Sequence, residues 1–250
     1  MKKTLLIIVN IFLAIHVFGG NPDLFNKANQ HYQAGEYSAA IELYDSIYNS
    51  GYQSFELLYN LGNAYYKKEN FAKAILYWEK AKKLNPRDED LLHNLELVQT
   101  KIPDQIDEVP HFVLIKVWKS IVFGLPDFFW TILNILSFLV LVYAIFVLVS
   151  SVSSKIKKIF FYIGILSFFL TIFSGIAGYQ NYREITQHKT AIVLPPTVNV
   201  KSSPDETSST LFVLHSGTKV KLIEKIGSWQ QISIANGNKG WLKTSDFDPI

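Results

Sequence analysis

The longest apolar stretches of the chain are residues 128–154 and 159–182, and neither contains an Asp, Glu, Lys or Arg. They are 27 and 24 residues long, and about 20 apolar residues in a helix span the hydrocarbon core of a bilayer. The pattern predicts transmembrane helices at 128–150 and 159–180 and excludes a purely soluble protein. Because neither span holds an ionisable residue, we interpret the pair as an anchor and not as a proton or ion pathway.

A shorter apolar run, residues 4–18, follows Met1, Lys2 and Lys3 and is itself followed by Gly19 and Gly20. A basic start, an apolar core and small residues at the end are the pattern of a secretory signal peptide. The sequence therefore predicts a signal peptide at 1–19. An uncleaved signal anchor is the alternative interpretation of the same run.

The segment between the two spans, 151–158, contains Lys155, Lys157 and Lys158. Loops rich in lysine and arginine stay in the cytoplasm, so this segment is expected to be a cytoplasmic loop. Export of residues 20–127 by the signal peptide agrees with this orientation. Both soluble regions are then expected on the non-cytoplasmic side, joined by a membrane hairpin.

Residues 21–54 and 55–88 align with a period of 34, and internal repeats of this length mark stacked helical hairpins. The aligned pairs include Tyr32 with Tyr66 and Ala40 with Ala74. The second unit, which carries Tyr59, Gly62, Asn63, Tyr66, Phe71, Ala74, Ile75, Trp78, Ala81 and Pro86, resembles the tetratricopeptide repeat. That resemblance implies an all-α fold of two helical hairpins. Because two hairpins leave an apolar face open, residues 88–101 are predicted to form a capping helix that completes a region at 21–102.

In tetratricopeptide arrays the first helices line a concave groove that binds partner peptides. The resemblance implies that this groove is lined by the fifth, ninth and twelfth positions of each unit. The predicted groove residues are Phe25, Asn29, Tyr32, Tyr59, Asn63, Tyr66 and His93. Aromatic and amide side chains suit the recognition of a peptide. The alternative is that the aromatic residues only cover the helices.

Residues 103–127 connect the repeats to the first span. The part between Pro103 and Pro110 is acidic and indicates a linker, whereas the run up to Leu125 is apolar apart from Lys116, Lys119 and Ser120. The two lysines lie on one stripe at helical spacing, which predicts an amphipathic helix in the membrane interface. A third membrane span is the alternative, and the two lysines argue against it.

Residues 186–250 change to short β-rich runs, with candidate strands at 191–194, 198–201, 219–224, 229–234 and 240–243. Five short strands in about 60 residues predict a small all-β barrel. The segments 198–204, 215–220, 229–232 and 240–243 resemble, in the same order, a bacterial SH3-type domain. That resemblance implies binding of cell-wall peptides or protein segments, with Trp229 and Trp241 as candidate contacts. Both tryptophans can instead belong to the core.

Composition narrows the possible chemistry. Charged residues make up 18% of the chain and its formal net charge is +3, with no basic cluster of the kind that binds nucleic acid. There is no cysteine, and the six histidines lack metal-ligand spacing. No nucleophile elbow or phosphate-binding loop is present. We therefore predict no catalytic residues, no metal, no cofactor and no nucleic-acid partner.

The whole order of signal peptide, repeats, membrane hairpin and SH3-type domain resembles the BatE-like family of the bacterial aerotolerance (Bat) operon. This resemblance implies partners among von Willebrand factor A-type Bat proteins and a MoxR-type ATPase system. It predicts a scaffold of the bacterial inner membrane with both soluble domains in the periplasm. The alternative function is a tether that binds peptidoglycan peptides through the SH3-type domain.

Overall fold

The computed structural model describes residues 22–106, 113–186 and 189–250 of the chain. These residues form eight helices followed by seven strands. The helices are α1 (Pro22–Gln33), α2 (Tyr37–Asn49), α3 (Phe55–Lys67), α4 (Phe71–Leu84), α5 (Glu89–Gln99), α6 (Val113–Phe123), α7 (Asp127–Ser150) and α8 (Ser154–Thr186). The predicted signal peptide lies outside the described residues.

Residues 22–102, here called the helical-repeat region, form the hairpins α1–α2 and α3–α4 followed by the single helix α5. The side chains of Ser54, Asn70 and Asp88 cap α3, α4 and α5, because each accepts a hydrogen bond from the backbone N–H of the third helical residue. Such a cap satisfies one of the N–H groups that a first helical turn leaves without an intrahelical partner. Helix α5 ends the region as a single capping helix.

Small residues let the paired helices approach each other. Ala28, Ala40 and Ala74 are fully buried in the core of the region. The backbone of Gly62 lies so close to the Trp78 indole that a Cβ atom at this position would overlap the ring. A larger residue at any of these positions would push the helices apart at a cost of about 1–3 kcal/mol.

Helices α7 and α8 pack along each other as a hairpin, and both are long and apolar enough to cross a membrane, over Phe128–Ser150 and Ser154–Arg183. Their outward faces expose many large apolar side chains, which indicates membrane association. Between them, Asn134 Nδ2 donates to the carbonyl oxygen of Thr171 at 2.8 Å and to Ser174 Oγ at 3.1 Å. Thr171 Oγ1 donates to Ser137 Oγ at 3.0 Å. Since lipid offers no hydrogen bonds, these polar groups face each other and hold the hairpin together.

The connection within the hairpin is shorter than the sequence indicates. Helix α8 begins at Ser154, so only residues 151–153 separate the two helices. Lys155, Lys157 and Lys158 therefore lie in the first turns of α8 and not in a loop at 151–158. Lysine interrupts an apolar run but is a good helix former, so the charge pattern marks the end of the apolar span without marking the end of the helix.

Helix α6 lies against the end of the hairpin at which α7 begins and α8 ends. Trp118 Nε1 donates to Gln180 Oε1 at 2.9 Å, and Asn181 Nδ2 donates to the carbonyl oxygens of Val122 at 2.7 Å and Leu125 at 3.0 Å. Amide side chains of α8 thereby hold α6 and satisfy carbonyl groups at its C-terminal end. Other α6 side chains, such as Val113, are exposed although apolar, and the location of α6 in the membrane interface stays a prediction.

Residues 189–250, here called the β-domain, form one seven-stranded antiparallel sheet in the order β3-β2-β6-β5-β4-β1-β7. The strands are β1 (Thr190–Val193), β2 (Thr197–Lys201), β3 (Thr210–His215), β4 (Lys219–Ile226), β5 (Trp229–Ser233), β6 (Lys239–Lys243) and β7 (Phe247–Pro249). The all-β prediction is confirmed, although the sequence analysis missed β3 and β7. The strand pairing ends at β3 and β7, so closure into a barrel stays a prediction.

Candidate functional site

The seven predicted groove residues lie on the first helix of each unit, α1, α3 and α5. His93 on α5 is exposed, whereas the six residues on α1 and α3 are half-buried. Their rings contact the repeats as well as solvent: Phe25 packs on Tyr44 with ring centroids 5.8 Å apart, and Tyr59 stacks on Phe55 at 5.7 Å. The aromatic residues therefore cover the helices. They also form part of the surface made by α1, α3 and α5, here called the first-helix face.

The two polar atoms of the Asn29 amide have different surroundings, because only its oxygen is hydrogen-bonded within the repeats. Its Oδ1 atom accepts hydrogen bonds from the Tyr44 hydroxyl at 2.5 Å and from Asn60 Nδ2 at 3.1 Å. Tyr44 is almost completely buried, and its burial raises the pKa of its hydroxyl to about 12. The hydroxyl therefore stays protonated at neutral pH and keeps donating to Asn29.

Asn63, one repeat later, has the same arrangement. Its Oδ1 atom accepts from the indole Nε1 of buried Trp78 at 3.1 Å and faces Asn94 Nδ2 at 3.5 Å. Within the described residues, the Nδ2 groups of Asn29 and Asn63 donate no hydrogen bond. Asn29 and Asn63 thus use their oxygen atoms to stabilise the repeats, and each leaves its Nδ2 donor unused within the described residues.

The two tryptophans predicted as contacts of the β-domain differ in exposure. Trp241 on β6 is only 7% exposed, which favours a structural role. Trp229 on β5 is half-buried, and Lys243 Nζ lies 5.9 Å from the centre of its ring. Lys243 also forms an ion pair with Glu206, and this hydrogen-bonded carboxylate raises the pKa of the lysine above its usual value. An aromatic ring with adjoining charges of both signs is thus available to a ligand at Trp229.

The β-domain docks on the helical-repeat region, a contact that no pattern in the sequence predicts. Asp104, in the segment interpreted as a linker, accepts from the His215 backbone N–H at 2.7 Å and from the Thr218 hydroxyl at 2.5 Å. Nδ1 of the His215 ring lies 2.7 Å from the other carboxylate oxygen of Asp104. Residue 104 therefore joins the end of the repeats to the β3–β4 turn.

Burial favours the neutral form of the Asp104 carboxyl, but the hydrogen bonds from Thr218 and His215 outweigh this effect. Together with the charge of the His215 ring they lower the pKa of Asp104 below its usual value. The carboxylate is therefore ionised at neutral pH, where it accepts the strongest hydrogen bonds.

Two further contacts connect the second helix of the second repeat to the β-domain. Glu79 on α4 forms an ion pair with Lys219 at 2.7 Å, and Lys83 Nζ donates to the main-chain oxygen of Ile250 at 2.8 Å. The backbone of Gly217 approaches Ile75 and Ile102 so closely that a Cβ atom would overlap Ile102. These contacts use α4 and the segment after α5, so none of them involves the predicted groove residues.

The repeat period contains a signal for this docking surface. Glu79 lies 34 residues after Asp45, and Asp45 accepts hydrogen bonds from Tyr65 and Tyr77 of the next repeat. An acidic residue at the same position of the last repeat indicates a surface that can accept hydrogen bonds from a further packed segment. The sequence does not say that this neighbour is the β-domain.

Two family models match parts of the chain. The tetratricopeptide repeat model matches residues 55–88, which hold α3 and α4, and the bacterial SH3 domain model matches residues 196–248 of the β-domain. No curated protein matches the chain. The chain thus contains a tetratricopeptide repeat and a bacterial SH3 domain, which are modules that bind proteins or peptidoglycan. The bacterial SH3 domain also fits a location outside the cytoplasm.

Proposed function

We propose that the chain is a non-enzymatic scaffold of the bacterial inner membrane that binds partner proteins through the first-helix face of its repeats. The observation that carries this proposal is the position of the two Nδ2 donors of Asn29 and Asn63 beside the half-buried rings of Phe25, Tyr59 and Tyr66. An extended segment offers carbonyl oxygens to such donors and side chains to such rings.

The docking of the β-domain supports the same proposal. It covers α4 and the end of the helical-repeat region, and its polar contacts use Glu79, Lys83 and Asp104. The groove residues lie outside these contacts. A partner can therefore bind the first-helix face without displacing the β-domain.

We further propose that both soluble regions lie in the periplasm. The hairpin brings its two ends to the same side of the membrane, and the contacts between the helical-repeat region and the β-domain require that they share a compartment. The lysines at the start of α8 favour the cytoplasm for the opposite end of the hairpin. The order of domains supports a role in a Bat aerotolerance complex, with von Willebrand factor A-type proteins and a MoxR-type ATPase system as partners.

The groove is tested by replacing both amides with carboxylates, Asn29→Asp with Asn63→Asp, in the full chain. Aspartate keeps an oxygen that accepts from Tyr44 and Trp78 but removes the Nδ2 donor, so folding is retained while the ligand donors are lost. The control combines Asn26→Asp and Asn49→Asp, which are exposed and add the same charge. Partners that copurify from detergent-solubilised membranes should be lost only from the groove variant.

If the groove variant melts at the wild-type temperature and still retains every partner, the first-helix face does not bind them.

The alternative function, a peptidoglycan tether, has its own measurement. Binding of the full chain to purified peptidoglycan should be abolished by Trp229→Ala if the β-domain is the tether. Loss of peptidoglycan binding with Trp229→Ala, together with unchanged partner retention by the groove variant, would favour the tether over the scaffold.

A further inference from the structure

Four parts of the chain surround one cavity of about 300 Å³. Its walls come from the C-terminal part of α4, the α6–α7 connection, the end of α8 and the β-domain. Leu125 and Pro126 lie within three residues of the start of the first span, and Asn181 lies near the end of the second. The cavity, here called the junction cavity, therefore lies at the depth of the lipid headgroups.

The junction cavity has an apolar wall and a charged wall. Leu84, Phe123 and Leu125 form much of the apolar wall. Phe123 and Leu125 flank the end of α6, a helix with many exposed apolar side chains, so this wall adjoins the lipid.

The side chains of the charged wall include three lysines, Lys82, Lys83 and Lys219, and one acidic residue, Glu79. Glu79 is already paired with Lys219, and Lys83 donates to the main-chain oxygen of Ile250. Half-buried Lys82 makes no hydrogen bond or ion pair with any residue that the structure describes. An excess of positive charge beside an apolar wall suits a ligand with an anionic head and an apolar stem.

We infer that the junction cavity binds the headgroup of an anionic phospholipid, with the phosphate at Lys82 and the first acyl methylenes along Leu84, Phe123 and Leu125. A cavity of about 300 Å³ accommodates a headgroup and not a whole lipid, so the acyl tails remain in the bilayer. Bound there, the lipid contacts the repeats, the membrane anchor and the β-domain together. The site fixes how the soluble part of the chain stands on the membrane.

The test is native mass spectrometry of the full chain in a neutral detergent, titrated separately with dioleoyl phosphatidylglycerol and dioleoyl phosphatidylcholine. We expect stronger retention of the phosphatidylglycerol. Lys82→Gln should reduce this retention about fivefold, since one lysine near an anionic lipid contributes about 1 kcal/mol. The matched control is Lys68→Gln, an exposed lysine at the end of α3, which should behave as wild type. Because Lys82 makes no described bond, equal melting temperatures of the two variants should confirm that folding is intact.

Three results would overturn the inference. The first is equal retention of the two lipids by the wild-type chain, and the second is equal retention of phosphatidylglycerol by the two lysine variants. The third is full displacement of phosphatidylglycerol by millimolar glycerol phosphate, which would show a site for small phosphate anions and not for a lipid. Retention that persists against glycerol phosphate and falls only with Lys82→Gln supports the lipid site.

Discussion

The second repeat contacts the first repeat on one side and the β-domain on the other. In both contacts the acceptor is an acidic side chain at the same position of the 34-residue repeat, Asp45 in the first repeat and Glu79 in the second. Asp45 of the first repeat accepts from the hydroxyls of Tyr65 at 2.9 Å and Tyr77 at 3.1 Å. Glu79, 34 residues later, accepts from Lys219 Nζ of the β-domain at 2.7 Å. The β-domain thus docks on the helix position through which the first repeat contacts the second.

The contact between the two repeats, here called the repeat junction, is more buried than the contact between Glu79 and Lys219, here called the docking junction. Tyr65 and Tyr77 are buried and stacked, with ring centroids 5.4 Å apart. Their burial and the neighbouring Asp45 carboxylate raise the pKa of both hydroxyls above the usual value, so both remain donors. The Lys219 side chain is 42% exposed whereas that of Glu79 is 12% exposed, so water reaches the ion pair from the lysine side and weakens it. The comparison teaches that the surroundings of a carboxylate, and not its charge, decide how much it stabilises a junction.

Removing the Asp45 carboxylate, which accepts hydrogen bonds from two buried tyrosines, should have the largest effect. Asp45→Ala leaves two buried hydroxyls without an acceptor, and we expect a loss of about 3 kcal/mol in the free energy of unfolding. A thermal melt of the full chain in detergent, followed by circular dichroism, measures the loss. Glu42→Ala, at an exposed position on the same helix, is the control and should change little. Equal melting temperatures of the two variants would show that the buried junction is no stronger than the surface.

The contact at Asp104 should have an intermediate and pH-dependent effect. Its pKa is lowered in the folded chain, so its stabilisation is present above the unfolded pKa of about 3.9 and is lost as pH falls through the folded value. Asp104→Asn should therefore cost about 1–2 kcal/mol at neutral pH and nothing at a pH below both values. Melting curves of both proteins across this range give the comparison, with the exposed Asp90→Asn as the control. An unchanged difference at low pH would contradict the role of the charged carboxylate.

The ion pair between Glu79 and the partly exposed Lys219 should have the smallest effect. Glu79→Gln keeps the length of the side chain but removes its charge, and we expect a loss below about 1 kcal/mol because water screens the pair. The same thermal melt, run at low and high salt, tests this expectation, since the small difference should shrink with salt. A loss as large as that of Asp45→Ala would remove the distinction between the two junctions.

Periodic features of the chain were predictable from the sequence. The period of 34 residues located the helical hairpins, and the absence of charge located both apolar helices. Strands β3 and β7 were missed. β7 has only three residues, which is too short for an alternating pattern to appear. The hairpin loop was overestimated because charge ends an apolar run before it ends a helix.

Contacts between distant segments were not predictable. Asp104 meets Thr218 across 114 positions of the chain, and an acidic residue between prolines gives no sign of such a partner. The predicted groove residues do share the first-helix face, but the sequence did not reveal that the oxygens of Asn29 and Asn63 are held by Tyr44 and Trp78. Hydrogen bonds of this kind depend on the packing of two helices and not on a local pattern.

The central claim is that the β-domain docks on the end of the repeats, so that both soluble regions form one unit on one side of the membrane. The chain has no cysteine, so Glu79→Cys with Lys219→Cys places the only two thiols at the docking contact and leaves the hydrogen bonds of Asp104 in place. A short bismaleimide should cross-link this pair in intact membranes. Glu79→Cys with Ser209→Cys is the control, because Ser209 directly precedes β3 and lies about six residues before His215 at the docked turn, or roughly 20 Å away along an extended strand. Cross-linking of the first pair alone is the predicted result, and equal cross-linking of both pairs, or of neither, would contradict the docked arrangement.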